Sequence, residues 1–144
     1  MLALEVVAIP VADLDRSLEF YSKRCGFVVD VDYRPSASFQ VIQLTPPGSR
    51  CSIHLVQAES SARLGGLYLV TDDLERERDK LMEAGVPVQA IRRKDVLATW
   101  AGGFAPGIDP ERRNYASFAD FADPDGNVWT IQERGYDGAR TRTA

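Results

Sequence analysis

His54 is the only histidine of the chain, and it stands in the alternating run "CSIHLVQ". An imidazole there can serve as a general base or as a hydrogen-bond donor to a ligand. It can equally be a half-exposed strand residue without a task, and no carboxylate or nucleophile partner adjoins it in sequence. Period-two alternation puts Ser52, His54 and Val56 on one face and Cys51, Ile53 and Leu55 on the other. The second set is apolar throughout and is expected to pack under a helix, which leaves His54 on the open, concave face. The same reasoning on "NVWTIQE" turns Thr130 and Gln132 to that face and Trp129 and Ile131 to the core. Tyr68, on "GGLYLV", shares the face of Gly66. Together with Val6 and Ala8 these residues make an apolar-to-polar surface suited to a neutral or aromatic ligand.

The segment 93–118 adds a second group of candidates. It is long, rich in glycine and proline, and holds Trp100, Phe104 and Tyr115. Loops of this length in compact domains are commonly lids or binding loops. Gly102-Gly103 would serve as a hinge and Trp100 and Phe104 as apolar closures. Arg112 or Arg113 would clamp an anionic group, and since adjacent residues of an extended chain point opposite ways, one of them at most reaches a ligand. We take Arg113 as that residue. The competing expectation is a surface ion pair with Asp109 or Glu111.

The elements that must hold these residues are written twice. "VADLDRSLEFYSKRCGF" (11–27) and "VTDDLERERDKLMEAGV" (70–86) each follow an alternating apolar run, "LEVVAIPV" or "GGLYLV". Each opens on an acidic residue able to cap a helix, Asp13 and Asp72 or Asp73, and closes on a glycine, Gly26 or Gly85. The second copy is one residue shorter between these marks. Strand-like runs follow at 27–33, 38–44 and 51–57, and again at 86–92, 115–121 and 127–133. "DPDGN" before the last run reads as a tight hairpin turn whose acids need only make the turn. The order is therefore βαβββ, twice: an α+β fold of two modules, 1–58 and 64–133, in one domain (1–133) forming a curved mixed sheet around a cleft. Residues 134–144, with Arg134, Arg140 and Arg142, are expected to be a flexible tail.

Bulk properties narrow the function. The net charge of −4 argues against nucleic acid or an anionic membrane as partner. No stretch reaches the roughly 18 apolar residues of a membrane span. The N-terminus lacks a basic signal-peptide region, so a cytoplasmic location is expected. Cys25 and Cys51 match no zinc spacing and read as two small buried thiols.

"IPVADLDRSLEFYSKRCGF", "LYLVTDDLERERDKLMEAGV" and "FADPDGNVWTIQE" together resemble the vicinal oxygen chelate superfamily, which includes glyoxalase I, extradiol dioxygenases and bleomycin-resistance proteins. The resemblance implies a homodimer and, in metal-dependent members, four ligands. One precedes each helix-opening aspartate by seven residues; one follows each turn glycine by four. Those positions are Val6 and Gly66, and Ser52 and Thr130. Valine and glycine side chains offer a cation no donor, and a one-residue slip to Glu5 or Val7 moves to the opposite face. The expectation is thus a member with no metal and no cofactor, binding a small, aromatic or natural-product-like molecule through Ser52, Tyr68, Trp100, Phe104, Arg113, Tyr115, Thr130 and Gln132. The alternative is a metal-independent isomerase, lyase or cyclase with His54 as acid/base. A metal-dependent lyase or dioxygenase comes third.

Overall fold

The computed structural model describes residues 1–58 and 62–138, and the chain divides into two compact units. Unit 1 comprises Met1–Gly65 and Asp123–Asn127; unit 2 comprises Gly66–Ala122 and Val128–Ala144.

In unit 1 the order is β1 (Val6–Val11), α1 (Leu14–Glu19), β2 (Val28–Ser36), β3 (Phe39–Thr45) and β4 (Ser52–Gln57). The sheet runs β1-β4-β3-β2, with β1 parallel to β4 and the other pairs antiparallel. Asp13 caps α1, its carboxylate accepting from the Arg16 N–H at 3.1 Å. The helix then widens into a π turn over Phe20–Arg24 before Gly26 at φ 76°. A π turn accommodates one inserted residue without breaking the helix, which accounts for the extra residue of the first repeat. Ile9, Val11, Tyr21, Ile42, Leu44 and Leu55 form the core.

Unit 2 contains β5 (Leu67–Thr71), α2 (Leu74–Glu83), β6 (Arg92–Lys94), β7 (Phe104–Pro106), β8 (Ser117–Ala122) and β9 (Val128–Glu133). Its sheet order is β5-β9-β8-β6-β7, with β5 parallel to β9. Asp73, not Asp72, caps α2, accepting from the Arg76 N–H at 3.0 Å. Trp129 and Phe121 stack at 6.3 Å on the helix-facing side, with Ile131, Ala119 and Leu74 buried beside them.

The two mixed sheets match the expected architecture, with one local correction. The run 86–92 is a strand only at its last residue, Arg92, where β6 starts; before it Val88 makes an isolated bridge to Phe121. The Arg78 guanidinium donates to the carbonyls of Val88 and Gln89 at 3.1 and 3.0 Å, and Pro87 has no N–H to give a ladder. Pairing begins at Arg92, and the segment expected to be irregular supplies β7. Unit 2 is therefore βαββββ.

The turn between β8 and β9 does more than reverse the chain. Asp123 accepts from the N–H groups of Asp125 and Asn127, both at 2.9 Å, from the Asn127 amide at 2.7 Å and from the Tyr21 hydroxyl at 2.7 Å. Asp125 accepts from the Ala12 N–H at 3.1 Å and from Arg16 at 2.9 Å. Asn127 donates to the Pro10 carbonyl and accepts from the Leu64 N–H. The acids expected only to make a turn thus join it to β1 and α1 within unit 1.

Past β9, Arg134 N–H donates to the Thr71 carbonyl and Gly135 N–H to Asn114, both at 2.8 Å. Residues 139–144 of the expected tail lie outside the described residues.

Cys25 sits behind the π turn, and its thiol is pushed up to about 12, first by burial and then by the Asp123 charge. The folded state keeps a proton that the unfolded thiol loses, so this contribution is complete below the ordinary thiol value and vanishes as pH climbs toward the folded one. Between about pH 9 and 11 the wild type should lose roughly 1 kcal/mol per pH unit more than Cys25→Ala. Urea melts of both proteins across that range measure it; parallel losses would refute the assignment.

Candidate functional site

Cross-strand register decides which side chains share a face in unit 2. Thr130 on the central strand β9 lies opposite Tyr68 of β5 and Asp120 of β8. Gln132 lies opposite Val70 and Phe118, Phe118 opposite Arg92, Arg92 opposite Pro106, and Lys94 opposite Phe104. Directly opposed residues point the same way, so Tyr68, Thr130, Gln132, Asp120, Phe118, Arg92 and Phe104 occupy one side and α2 packs on the other. Tyr68 is 60% exposed and Phe104 44%. Here is an open face carrying aromatic rings around a polar centre.

That centre is tightly connected. The Thr130 hydroxyl donates to Asp120 at 2.7 Å, and Arg92 donates to the other Asp120 oxygen at 2.8 Å. The Arg92 guanidinium lies 4.9 Å from the Phe104 ring centre and 5.5 Å from that of Phe118, within cation–π range. Phe104 meets Phe118 edge-to-face at 5.6 Å and Trp100 at the same distance. The Trp100 indole N–H is satisfied by the Gly103 carbonyl at 2.6 Å, and Lys94 covers its ring at 4.7 Å. The glycine expected as a hinge therefore anchors Trp100 in a short loop between β6 and β7.

Of the expected ligand-binding residues, the structure brings together Tyr68, Trp100, Phe104, Thr130 and Gln132 in unit 2. Arg113 is not among them: it pairs with Glu111 and, at 3.7 Å, with Asp109, the surface ion pairs named as its competing fate. Tyr115 takes up a positive φ of 60° and its hydroxyl accepts from Arg134 at 3.1 Å. Asp120 and Arg92 were missed. Asp120 hid in the acidic run before the turn, and Arg92 stood at the end of an expected strand of which only that residue is paired in a ladder. The signal for Asp120 was a carboxylate at the alternation position of Phe118.

Ser52 and His54 lie on the corresponding side of unit 1. His54 is opposite Ala8 and Gln43, and Ser52 is opposite Val6. The Ser52 hydroxyl is buried and hydrogen-bonded to Thr45 at 2.6 Å, and Thr45 in turn donates to Asp30. The Nε2 atom of His54 is buried without a hydrogen-bond partner among the described residues. Exposed Val6, Val28, Val31 and Val56 belong to the same sheet.

Register also corrects the family correspondence. The strands before the helices end at equivalent pairs, Val11 with Gln57 and Thr71 with Glu133. Counting back three from each places His54, not Ser52, as the counterpart of Thr130. The stretch from Gly48 to Gln57 is two residues longer than that from Gly126 to Glu133, which misled the count from the turn. The four positions then hold Val6 and His54 in unit 1, and Gly66 and Thr130 in unit 2. A single imidazole and a hydroxyl already bonded to Asp120 do not fit a divalent ion. No cluster of three His, Cys, Asp or Glu suited to a metal occurs among the described residues.

The chain belongs to the Glyoxalase/Bleomycin resistance protein/Dioxygenase superfamily, whose family model matches residues 3–131. It is similar to TnmS3, an antibiotic binding protein from Streptomyces sp. CB03234, at 28% identity and a TM-score of 0.68, over 92% of this chain and 96% of that one. A glyoxalase/bleomycin resistance protein from the same strain is also 28% identical, with a TM-score of 0.66 over 90% and 99% of the two chains. A superfamily member from Sphaerobacter thermophilus DSM 20745 shares the fold at 22% identity and a TM-score of 0.67, over 93% and 98%. A comparison with curated protein sequences gives no match. No described helix is long and apolar enough to cross a membrane.

Proposed function

We propose that this protein binds a small aromatic or natural-product-like molecule on the open sheet face of unit 2, without a metal. The observation that carries this reading is the exposed ring set of Tyr68, Trp100 and Phe104 around the Arg92–Asp120–Thr130 centre. Exposed aromatics beside a few fixed polar groups provide contact area and orientation together. The likeness to an antibiotic binding protein supports the same reading. The net charge of −4 speaks against nucleic acid. The family likeness supports a homodimer, a state that light scattering measures directly, and the N-terminal sequence supports a cytoplasmic location.

A thermal-shift screen of aromatic antibiotics and metabolites, with and without EDTA, tests the reading. A genuine ligand raises the melting temperature equally in both series and is recovered chemically unchanged. Phe104→Ala should weaken it about ten-fold, the loss of one ring contact with its buried area. Ligand affinity indifferent to Phe104 and Tyr68 substitutions would reject the site.

The unpartnered Nε2 of His54 favours a second reading, a metal-independent enzyme using that imidazole as acid/base. Turnover in EDTA that collapses in His54→Ala would establish it; unchanged ligand in both proteins rejects it.

A further inference from the structure

The binding reading leaves open what chemistry the ligand must carry, and Arg92 bears on that. Its guanidinium has five N–H groups, and its only hydrogen bond among the described residues is the one from NH1 to Asp120. The planar group is held on two sides, by the Asp120 carboxylate and by the rings of Phe104 and Phe118. Asp120 is itself engaged on both oxygens, by Arg92 and by Thr130. The centre therefore presents donors rather than acceptors. At 29% side-chain exposure, Arg92 stays open to a ligand while its ring contacts limit its freedom. Such a group needs little ordering on binding, which favours affinity.

We propose that Arg92 selects the ligand: an aromatic compound carrying an anionic or strongly accepting oxygen, such as a sulfonate, carboxylate or phenolate. The rings lie on Phe104 and Trp100, and the oxygen accepts from the unused N–H groups of Arg92. This rests on the binding reading above and extends it to a ligand class. Asp120 acts as a positioning residue that fixes the guanidinium.

The test uses a matched pair of fluorescent probes, 8-anilinonaphthalene-1-sulfonate and N-phenyl-1-naphthylamine, which differ by the sulfonate alone. Titrated into the full chain with EDTA present, the sulfonate should bind about ten-fold or more tightly than the neutral probe, as a charge-assisted hydrogen bond implies. Arg92→Leu should abolish that preference, read as the ratio of the two probes' affinities within each variant. Arg92→Lys, which keeps the charge and loses the planar fork, should retain part of it. Thermal melts of each variant show that it is folded, and Arg92→Lys carries the test if Arg92→Leu is not. Equal preference in wild type and both variants overturns the proposal and leaves the binding reading standing. Binding of both probes that is untouched by Phe104→Ala, or no binding at all, overturns both.

Discussion

Arg112→Ala should cost about 3–5 kcal/mol of folding stability, the range for stranding one partner of a buried ion pair. Glu133 is fully buried at the end of β9. Its two oxygens accept from Nε and NH2 of Arg112, each at 2.7 Å, and one of them also accepts from the Leu74 N–H at the start of α2, at 2.9 Å. Arg112 further donates to Glu75 at 2.9 Å and lies 3.5 Å from the Tyr136 ring centre. Its own acidity is pushed still lower than that of an ordinary guanidinium, chiefly by the Glu133 hydrogen bonds. Without it, a carboxylate remains in the core with one N–H donor. The backbone adds a second effect, because Arg112 sits at φ 51°, a region costly for any side chain. Arg112→Gly should therefore be milder than Arg112→Ala by roughly 1 kcal/mol. Urea denaturation of the two variants, of Glu133→Gln and of Arg112→Ala/Glu133→Gln measures these terms. A loss below about 1 kcal/mol for Arg112→Ala would show that the pair contributes little, and the double variant isolates the coupling.

That centre shows where sequence reading reaches its limit. The helices, their aspartate caps and their closing glycines were legible because each depends on neighbours within a few residues. Strand faces at 51–57 and 127–133 were legible for the same reason: alternation is a local property and the core selects one parity. The family likeness added the topology, and both sheets agree with it. What was not legible were partnerships across sequence. Arg112 and Arg113 are adjacent and chemically identical, yet one is held by Glu133 and Glu75, the other by Glu111 and Asp109. The positive φ at Arg112 breaks the alternation that a reader would apply there. Likewise the strand expected at 86–92 starts only at Arg92, and Arg78 reaches two carbonyls before it that no local pattern announces.

The candidate site divides in the same way. Tyr68, Thr130 and Gln132 were placed by parity alone, and Trp100 and Phe104 by their presence in a long glycine-rich loop. Arg92 required the register of β6 against β8, and Asp120 that of β8 against β9. That Val6 and Gly66 offer a cation no side-chain donor was visible from the residue types, while the choice of His54 over Ser52 needed the register of β1 with β4. Side-chain type speaks to single positions, and backbone pairing was needed for assignment.

Asp123→Ala is the second large effect, with an expected loss of roughly 3 kcal/mol or more. Asp123 is 5% exposed and its carboxylate accepts four hydrogen bonds, from two turn N–H groups, the Asn127 amide and the Tyr21 hydroxyl. Alanine leaves the Tyr21 hydroxyl, on a residue with no exposed surface, without this acceptor. Each hydrogen bond lost at a buried polar group costs up to about 1–3 kcal/mol. Tyr21→Phe removes donor and need together and should cost only about 1 kcal/mol. Where the damage falls is as informative as its size. Asp123 follows β8 in sequence, and a simple hairpin turn would loosen β8 and β9. The hydrogen bonds instead run to Tyr21 and, through Asn127 and Asp125, to Pro10 and Ala12. Hydrogen exchange in Asp123→Ala should therefore accelerate first at β1 and α1, around Ile9 and Ser17. Early loss of protection confined to Ala119 and Ile131 would return the turn to its minimal role. Asp125→Ala, which removes acceptors for Ala12 and Arg16, should loosen the same region at a smaller cost of about 1–2 kcal/mol.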